Sequence, residues 1–402
     1  MFEIYDLEMN KLEFPRGVKP LDIIVSSVGK IRNTSESDGR DGIIDYGYRN
    51  DTRMVDISLW IEAKDTIDYR LLRNELFEFF TRHDKFYISE KHIPSRVLKV
   101  SVDSEIMLDR LTVFHAQVDL PCTVHGTPFW ESKYTTLELH DSGYSATAEK
   151  YGLVDNIDDE KVKYRFTPDL VHTELTSDLF EQGSIFLTNG KNADSNTQLG
   201  RLKNHYSVIK GQNYQLNLSE TGGTINYIRI FHYDASGNHI SNEGSSNVQG
   251  NGDTSFPFVA LGTSIRLLIY AYGSSQVNIG GIGTLTEISL SSVSSKSEFN
   301  VYNAGNVTVE PESSQLYIQM NNVTSDGNLK MTNKTTGETF EYYRSVSRRH
   351  IVLNGMVMTE SGSNQFRNSN RRFISLAPGD NEFEITGATF DEIFFSFKYL
   401  YK

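Results

Sequence analysis

Apolar and polar residues alternate on a two-residue period through much of the first third of the chain, most clearly in "VDISLWIEAKD" (55–65). Val55, Ile57, Leu59, Ile61 and Ala63 fall on one face, and Asp56, Ser58, Trp60, Glu62 and Lys64 on the other. Successive side chains of a strand point to opposite faces, so this is the pattern of a half-buried strand. "RVLKVSVDS" and "RLTVFHAQVDL" repeat it more weakly. The period lengthens in "DTIDYRLLRNELFEFFTRHD", where Tyr69, Leu72, Leu76, Phe79 and Phe80 recur three or four apart. That spacing predicts one helix packed by an apolar stripe, with Asp65 or Thr66 as its cap.

From 141 to 168 periodicity fades in a charged connector. Short strand patterns return in "QGSIFLTNG", "NYQLNLSE", "NYIRIFHYD" and "SIRLLIYAYG", with turn-rich joints such as "DASGN" between them. Several short strands with regular turns and no helix predict a small β-sandwich. A Ser-rich exit, "SLSSVSSKS", follows. Alternation resumes in "QLYIQM", "NLKMTN", "HIVLNGM", "FISL" and "EFEIT", with "APGDN" as a turn. The final "EIFFSFKYLYK" has aromatics on both faces, so one side of it is expected to meet another domain or subunit.

Composition divides the chain in the same places. Residues 168–296 hold only 7 Lys and Arg and 10 Asp and Glu, of 39 and 52 in the whole, which marks an inserted module of separate character. At 402 residues two or three domains are expected. The formal charge of −13 argues against nucleic acid as a partner, since phosphate backbones select for clustered Lys and Arg. "RSVSRRH" (344–350) and "RNSNRR" (367–372) are local exceptions, read as solvated loops or protein contacts. The single cysteine, Cys122, excludes an internal disulfide and reads as a buried structural thiol. No basic start with an apolar run opens the chain and no window approaches 18 apolar residues. Neither a signal peptide nor membrane insertion is therefore expected.

Catalytic signatures are missing. There is no HExxH, GxSxG, GxxxxGK[ST] or helix-opening GxGxxG, and "GGIGTL" (280–285) leads into no phosphate-binding helix. No two His stand two or four apart. No catalytic residue, cofactor or metal site is assigned on this reading. A partial calcium pattern, Asp234, Ser236, Asn238 and Glu243, lacks the sixth-position Gly and twelfth-position Glu of an EF-hand loop and reads as a hairpin turn.

The first and third stretches together resemble the distal tail protein (Dit) family of long, flexible-tailed bacteriophages. The resemblance rests on "RMVDISLWIEAKDTIDYRLLRNELFEFF" and "LPCTVHGTPFWES" in the first, and on "VYNAGNVTVEP", "IQMNNVTSDGNLKMTNKTTGETFEY", "HIVLNGM" and "RRFISLAPGDNEFEITG" in the third. It implies a mainly β chain in four parts. Residues 1–140 would be a ring-forming belt domain, a β-sandwich or split barrel with one α-helix, and 141–167 a connector. Residues 168–296 would be an inserted, jelly-roll or carbohydrate-binding-module-like β-sandwich, and 297–402 a galectin-like β-sandwich that serves mainly for docking. The family implies a homo-hexamer at the tail tip, synthesised in the host cytoplasm. It would join the major tail (tube) protein to a tail-associated lysin or tail fibre and to receptor-binding proteins. Inserted modules in such proteins imply binding of host cell-wall saccharide.

Within the insert, "YIRIFHYDASGNHIS" (227–241) places Tyr227, Arg229, Phe231 and Tyr233 on one face and Ile228, Ile230 and His232 on the other. Flat aromatic rings beside hydrogen-bonding side chains suit a saccharide. Tyr227, Arg229, Phe231 and Tyr233, with Tyr270 and Tyr272 nearby, are therefore candidate carbohydrate-binding residues. The same aromatics would equally serve as a buried layer, and both Trp residues, Trp60 and Trp130, lie outside the module. Two other functions fit the sequence: a bacterial surface adhesin of serial β-domains, and a glycan-degrading tail enzyme.

Overall fold

The strand Met54–Glu62 lies inside an antiparallel sheet, with His115–Val124 on one side and Val18–Val25 on the other. Val55, Ile57, Leu59 and Ile61 are buried and the residues between them are partly exposed, as the alternation requires. The sheet continues from His115–Val124 through Arg96–Ser101, Phe86–Glu90 and Phe2–Tyr5 to the short Lys11–Leu12. The structure is a computed structural model that describes residues 1–39, 41–142, 163–193, 199–220, 225–246, 252–271, 285–312 and 314–402. Among these the chain is mainly β, with two α-helices, Thr66–Arg82 and Thr136–Ser142.

Asp65 starts the long helix, its carboxylate accepting the N–H groups of Ile67 and Asp68 at 2.8 Å each. Tyr69, Leu72, Leu76 and Phe80 form the buried stripe against the sheet. Gly17 lets the chain cross this contact. Its φ is +107°, and a Cβ there would stand 2.8 Å from the Glu62 carbonyl oxygen and 3.0 Å from Leu72 Cδ1. Cys122 is buried in the same core, and burial pushes its thiol up to about 12, so it is inert.

The C-terminal part is two antiparallel sheets over one core. Glu392–Ser396, Tyr317–Asp326 and Ser345–Asn354 lead one sheet; Lys296–Asn303, Gly379–Thr386, Leu329–Asn333 and Glu338–Tyr342 make the other. Ile318, Met320, Ile351, Ile393 and Phe395 meet Met331, Phe340, Phe383 and Ile385 between them. Arg165–Phe166, from the connector, adds an edge strand beside Glu392–Ser396. Tyr164 is fully buried there, its hydroxyl donating to the Tyr302 carbonyl.

The final segment meets the first domain, as its two aromatic faces imply. Leu400–Tyr401 pairs with Trp130–Ser132, which pairs in turn with Arg96–Ser101. Phe129 and Leu139 join the C-terminal core.

Among the described residues between 170 and 293, two larger sheets enclose Leu216, Ile228, Ile230, Ile265, Leu267 and Ile269. Leu170–Glu174, Leu285–Val293, Asn213–Glu220 and Gly252–Val259 make one; Phe180–Gln182, Leu199–Leu202, Ser264–Ala271, Ile225–Tyr233 and His239–Ser246 make the other. The chain enters and leaves at one place: Ser294 N–H donates to the Asp169 carbonyl at 3.0 Å. Phe166 stacks on Phe299 there at 4.5 Å between ring centres. Adjacent ends allow such a module to sit in a host domain without distorting it.

Candidate functional site

The strand Ile225–Tyr233 lies between His239–Ser246 and Ser264–Ala271. Ile228 and Ile230 face the main core of the module. His232, on the same face, is fully buried and matched on both ring nitrogens. Leu261 N–H donates to Nδ1 at 3.3 Å, which leaves Nε2 to donate to Glu243 at 2.9 Å.

The opposite face is a second buried layer. Phe231 is 0% exposed and Tyr233 2%, packed with Ile185, Leu268 and the half-buried Tyr270. A small hairpin, Ser184–Ile185 against Asn192–Ala193, covers them. The Tyr233 hydroxyl donates to the Gly190 carbonyl at 2.7 Å inside that hairpin, and burial raises the phenol's pKa. Two arginines hold the cover down. Arg201 donates to the Ser184 and Ala193 carbonyls and to Glu181; Arg266 donates to Asn192 Oδ1 and the Leu202 carbonyl.

Phe231 and Tyr233 are therefore core residues and present no ring to a saccharide, which corrects their candidacy. Arg229 is half-buried, with Nη1 2.7 Å from Asn242 Oδ1. Tyr227 stands opposite Tyr270 in the sheet register, but its side chain lies outside the described residues, as does all of Tyr272. The partial calcium pattern resolves into a turn. Asp234 Oδ1 accepts the N–H groups of Ser236 and Asn238, Oδ2 accepts the Asn238 amide, and these bonds lower the pKa of the carboxyl. Among the described residues no three His, Cys, Asp or Glu side chains gather to hold a metal ion.

Apart from Leu170 and Val171 on the other sheet, the large apolar side chains that the described residues of the module expose lie on or near the cover. Phe186 and Leu187, at the hairpin loop, are 52% and 51% exposed. Asn242 Nδ2 donates to the Leu187 carbonyl at 2.9 Å and ties this loop to the strand His239–Ser246. Ile240 and Leu261 are exposed nearby; a Cβ on Gly262 would stand 2.9 Å from Ile240 Cδ1. The sequence signal is two adjacent apolar residues followed by "TNGK", which breaks the alternation where a turn begins.

The first domain has its own exposed features. Val18–Val25 is an edge strand with Leu21 and Ile24 exposed, and the two-stranded hairpin Lys30–Ser35 and Ile44–Asn50 exposes Tyr46 and Tyr48. Open edges and exposed aromatics are features of association surfaces.

Residues 15–119 match the family model of the phage tail protein RIFT-related domain. No curated protein matches the chain. Among solved structures, the SPP1 Dit (gp 19.1) protein, a hub of the adsorption apparatus in phages that infect Gram-positive bacteria, aligns over 100% of both chains at 9% identity and TM-score 0.45. The phage P2 baseplate in its activated conformation with Ca aligns over 99% of this chain and 97% of that one, at 9% identity and TM-score 0.34. The matched residues hold the long helix and most of the sheet of the first domain, and over them the chain is similar to the phage tail protein RIFT-related domain, in keeping with its resemblance to siphophage distal tail proteins.

Proposed function

We propose that this chain is the distal tail hub of a long-tailed phage virion. The family match over residues 15–119 is the observation that carries this reading. In it, the first domain forms a six-membered ring with the tail tube above. The C-terminal sandwich docks the tail-associated lysin or fibre and the receptor-binding proteins. The open edge of Val18–Val25 and the exposed hairpin beyond it supply a surface for ring contacts. The test is the native mass of the purified chain. A ring gives six times the 45.6 kDa of the protomer, and a strict monomer in the presence of purified tube protein would overturn the reading.

The inserted module, in the same reading, contacts host cell-wall saccharide through Phe186 and Leu187. An exposed ring beside Asn189, Lys191 and Asn242 offers an apolar platform with polar neighbours. Six copies on one ring make weak single sites sufficient, because linked sites raise avidity by about 10²–10⁴. Phe186→Ala with Leu187→Ala is expected to abolish pelleting with purified bacterial cell walls that the unaltered protein binds. Undiminished pelleting would remove this surface from consideration.

A further inference from the structure

We infer that the outward face of the C-terminal sheet, where it meets the first domain, is a second saccharide-binding site, independent of the inserted module. The face follows from alternation. Ile318 and Met320, Ile351 and Leu353, and Ile393 and Phe395 are all buried in the sandwich core. The residues between them must point away from it. Three neighbouring strands therefore present Tyr317, Gln319 and Asn321, then His350, then Glu392 and Phe394, in register: Tyr317 opposite Ser396, Gln319 opposite Phe394, Asn321 opposite Glu392. Arg165 stands opposite Phe394 on the next strand.

These side chains form one connected system. The Tyr317 hydroxyl donates to Gln319 Oε1 at 2.5 Å, and Gln319 Nε2 donates to Asn321 Oδ1 at 2.6 Å. Asn321 Nδ2 donates to Glu392 Oε2 at 3.0 Å, and Arg165 Nη1 donates to Glu392 Oε1 at 3.3 Å. His350 Nδ1 lies 3.0 Å from Asn321 Oδ1. Each group fixes its neighbour's rotamer, so the amides, carboxylate, guanidinium and imidazole are held in place before any ligand arrives. Beside them the Tyr317 and Phe394 rings lie within 25° of parallel, 6.0 Å between centres.

One end of this face, that of Tyr317 and Phe394, borders a cleft, while Gln319, Asn321, His350, Glu392 and Arg165 continue the face outside it. Tyr87, Lys99 and His125 of the first domain stand across a cleft of 590 Å³ from Tyr317, Phe394 and Lys398. Lys398 Nζ sits 5.0 Å from the Tyr87 ring centre and 3.3 Å from Glu131 at its far side. A concave end with aromatic walls favours a small ligand over a flat protein surface, and the polar row runs on from it along the strands. The Tyr317 and Phe394 rings next to amide and carboxylate groups supply partners for the apolar face and the hydroxyl edge of a sugar. Two strand spacings, about 10 Å, accommodate a di- or trisaccharide.

The full-length chain, probed on an array of defined neutral and acidic oligosaccharides, tests this. At least one di- or trisaccharide is expected to bind, and Tyr317→Ala and His350→Ala each to weaken it at least ten-fold in titration calorimetry. Tyr317→Phe, which keeps the ring and the fold, is expected to retain most of the affinity. Phe186→Ala with Leu187→Ala is expected to leave it unchanged, which separates this site from the inserted module. The inference is overturned if every array signal disappears with the Phe186 and Leu187 pair, if no oligosaccharide binds, or if the Tyr317 and His350 variants bind as well as the original.

Discussion

Gly190 and Tyr233 work as a pair beneath the covering hairpin. Gly190 has φ +67°, and a Cβ on it would come within 2.9 Å of Tyr233 Cε1 and of His239. Gly190→Ala therefore meets both backbone strain and a clash, at a cost of about 1–3 kcal/mol. Tyr233→Phe removes only the bond to the Gly190 carbonyl, for about 1 kcal/mol. Calorimetry of the full chain should show the module's transition fall further for the glycine change than for the phenol change; the reverse order would mean that the hydroxyl's bond to the Gly190 carbonyl, rather than close packing, holds the cover. A second residue-scale case is electrostatic. Hydrogen bonds from Lys296 and then Lys334, at 3.0 and 3.1 Å, hold the Glu298 carboxyl down to about 2. A carboxyl lowered by folding adds stability above its unfolded pKa, near 4.5, and that stability disappears as pH falls towards 2. The side chain is exposed, so salt screens the effect. Lys334→Ala should raise the Glu298 midpoint in an NMR titration at low salt, and an unmoved midpoint would assign the shift to Lys296 alone.

At the scale of elements, period and capping made much of the first domain legible. The strand Met54–Glu62 and the helix Thr66–Arg82 form where alternation and the three-to-four spacing indicate. Asp65→Ala removes an acceptor of two helix N–H groups, and is expected to cost about 1 kcal/mol, read from the thermal transition of the first domain. No change would show that Thr66 or solvent takes over the cap. The aromatic strand of the module was only half legible. Its two faces could be written down from Tyr227 to Tyr233, but not which of them was covered. The covering hairpin lies about 40 residues upstream in sequence, and the arginines that fasten it, Arg201 and Arg266, sit on two further strands. Non-local coverage of this kind has no period to betray it. For the same reason the polar face of Tyr317, Asn321 and Glu392 did not stand out. Each strand reads as ordinary alternation, and the constellation exists only across strands.

On the scale of the whole molecule, the first and last domains are joined by a seam that neither owns. Residues 130–136 are clamped on both sides. Ser132 N–H donates to the Tyr399 carbonyl and Thr136 N–H to the Phe397 carbonyl, both at 2.8 Å, while Lys133 N–H donates to the Ser95 carbonyl. The Thr136 hydroxyl donates to the Phe395 carbonyl and accepts from Phe397 N–H, each at 3.1 Å. Beyond that, Leu400–Tyr401 completes the pairing with Trp130–Ser132, and the Arg96 guanidinium lies 3.7 Å from the Tyr401 ring centre. If the first domain rings the tube and the last one carries partners, force between them passes through this seam. Removing residues 400–402 deletes one strand of it but leaves the bonds of Thr136 and Ser132. The truncated chain should keep both domains folded, with amides of 130–132 and 96–97 exchanging much faster in hydrogen exchange and the rest little changed. Uniform loss of protection through both domains would instead make the seam part of a single cooperative unit, in which neither domain is stable without the other.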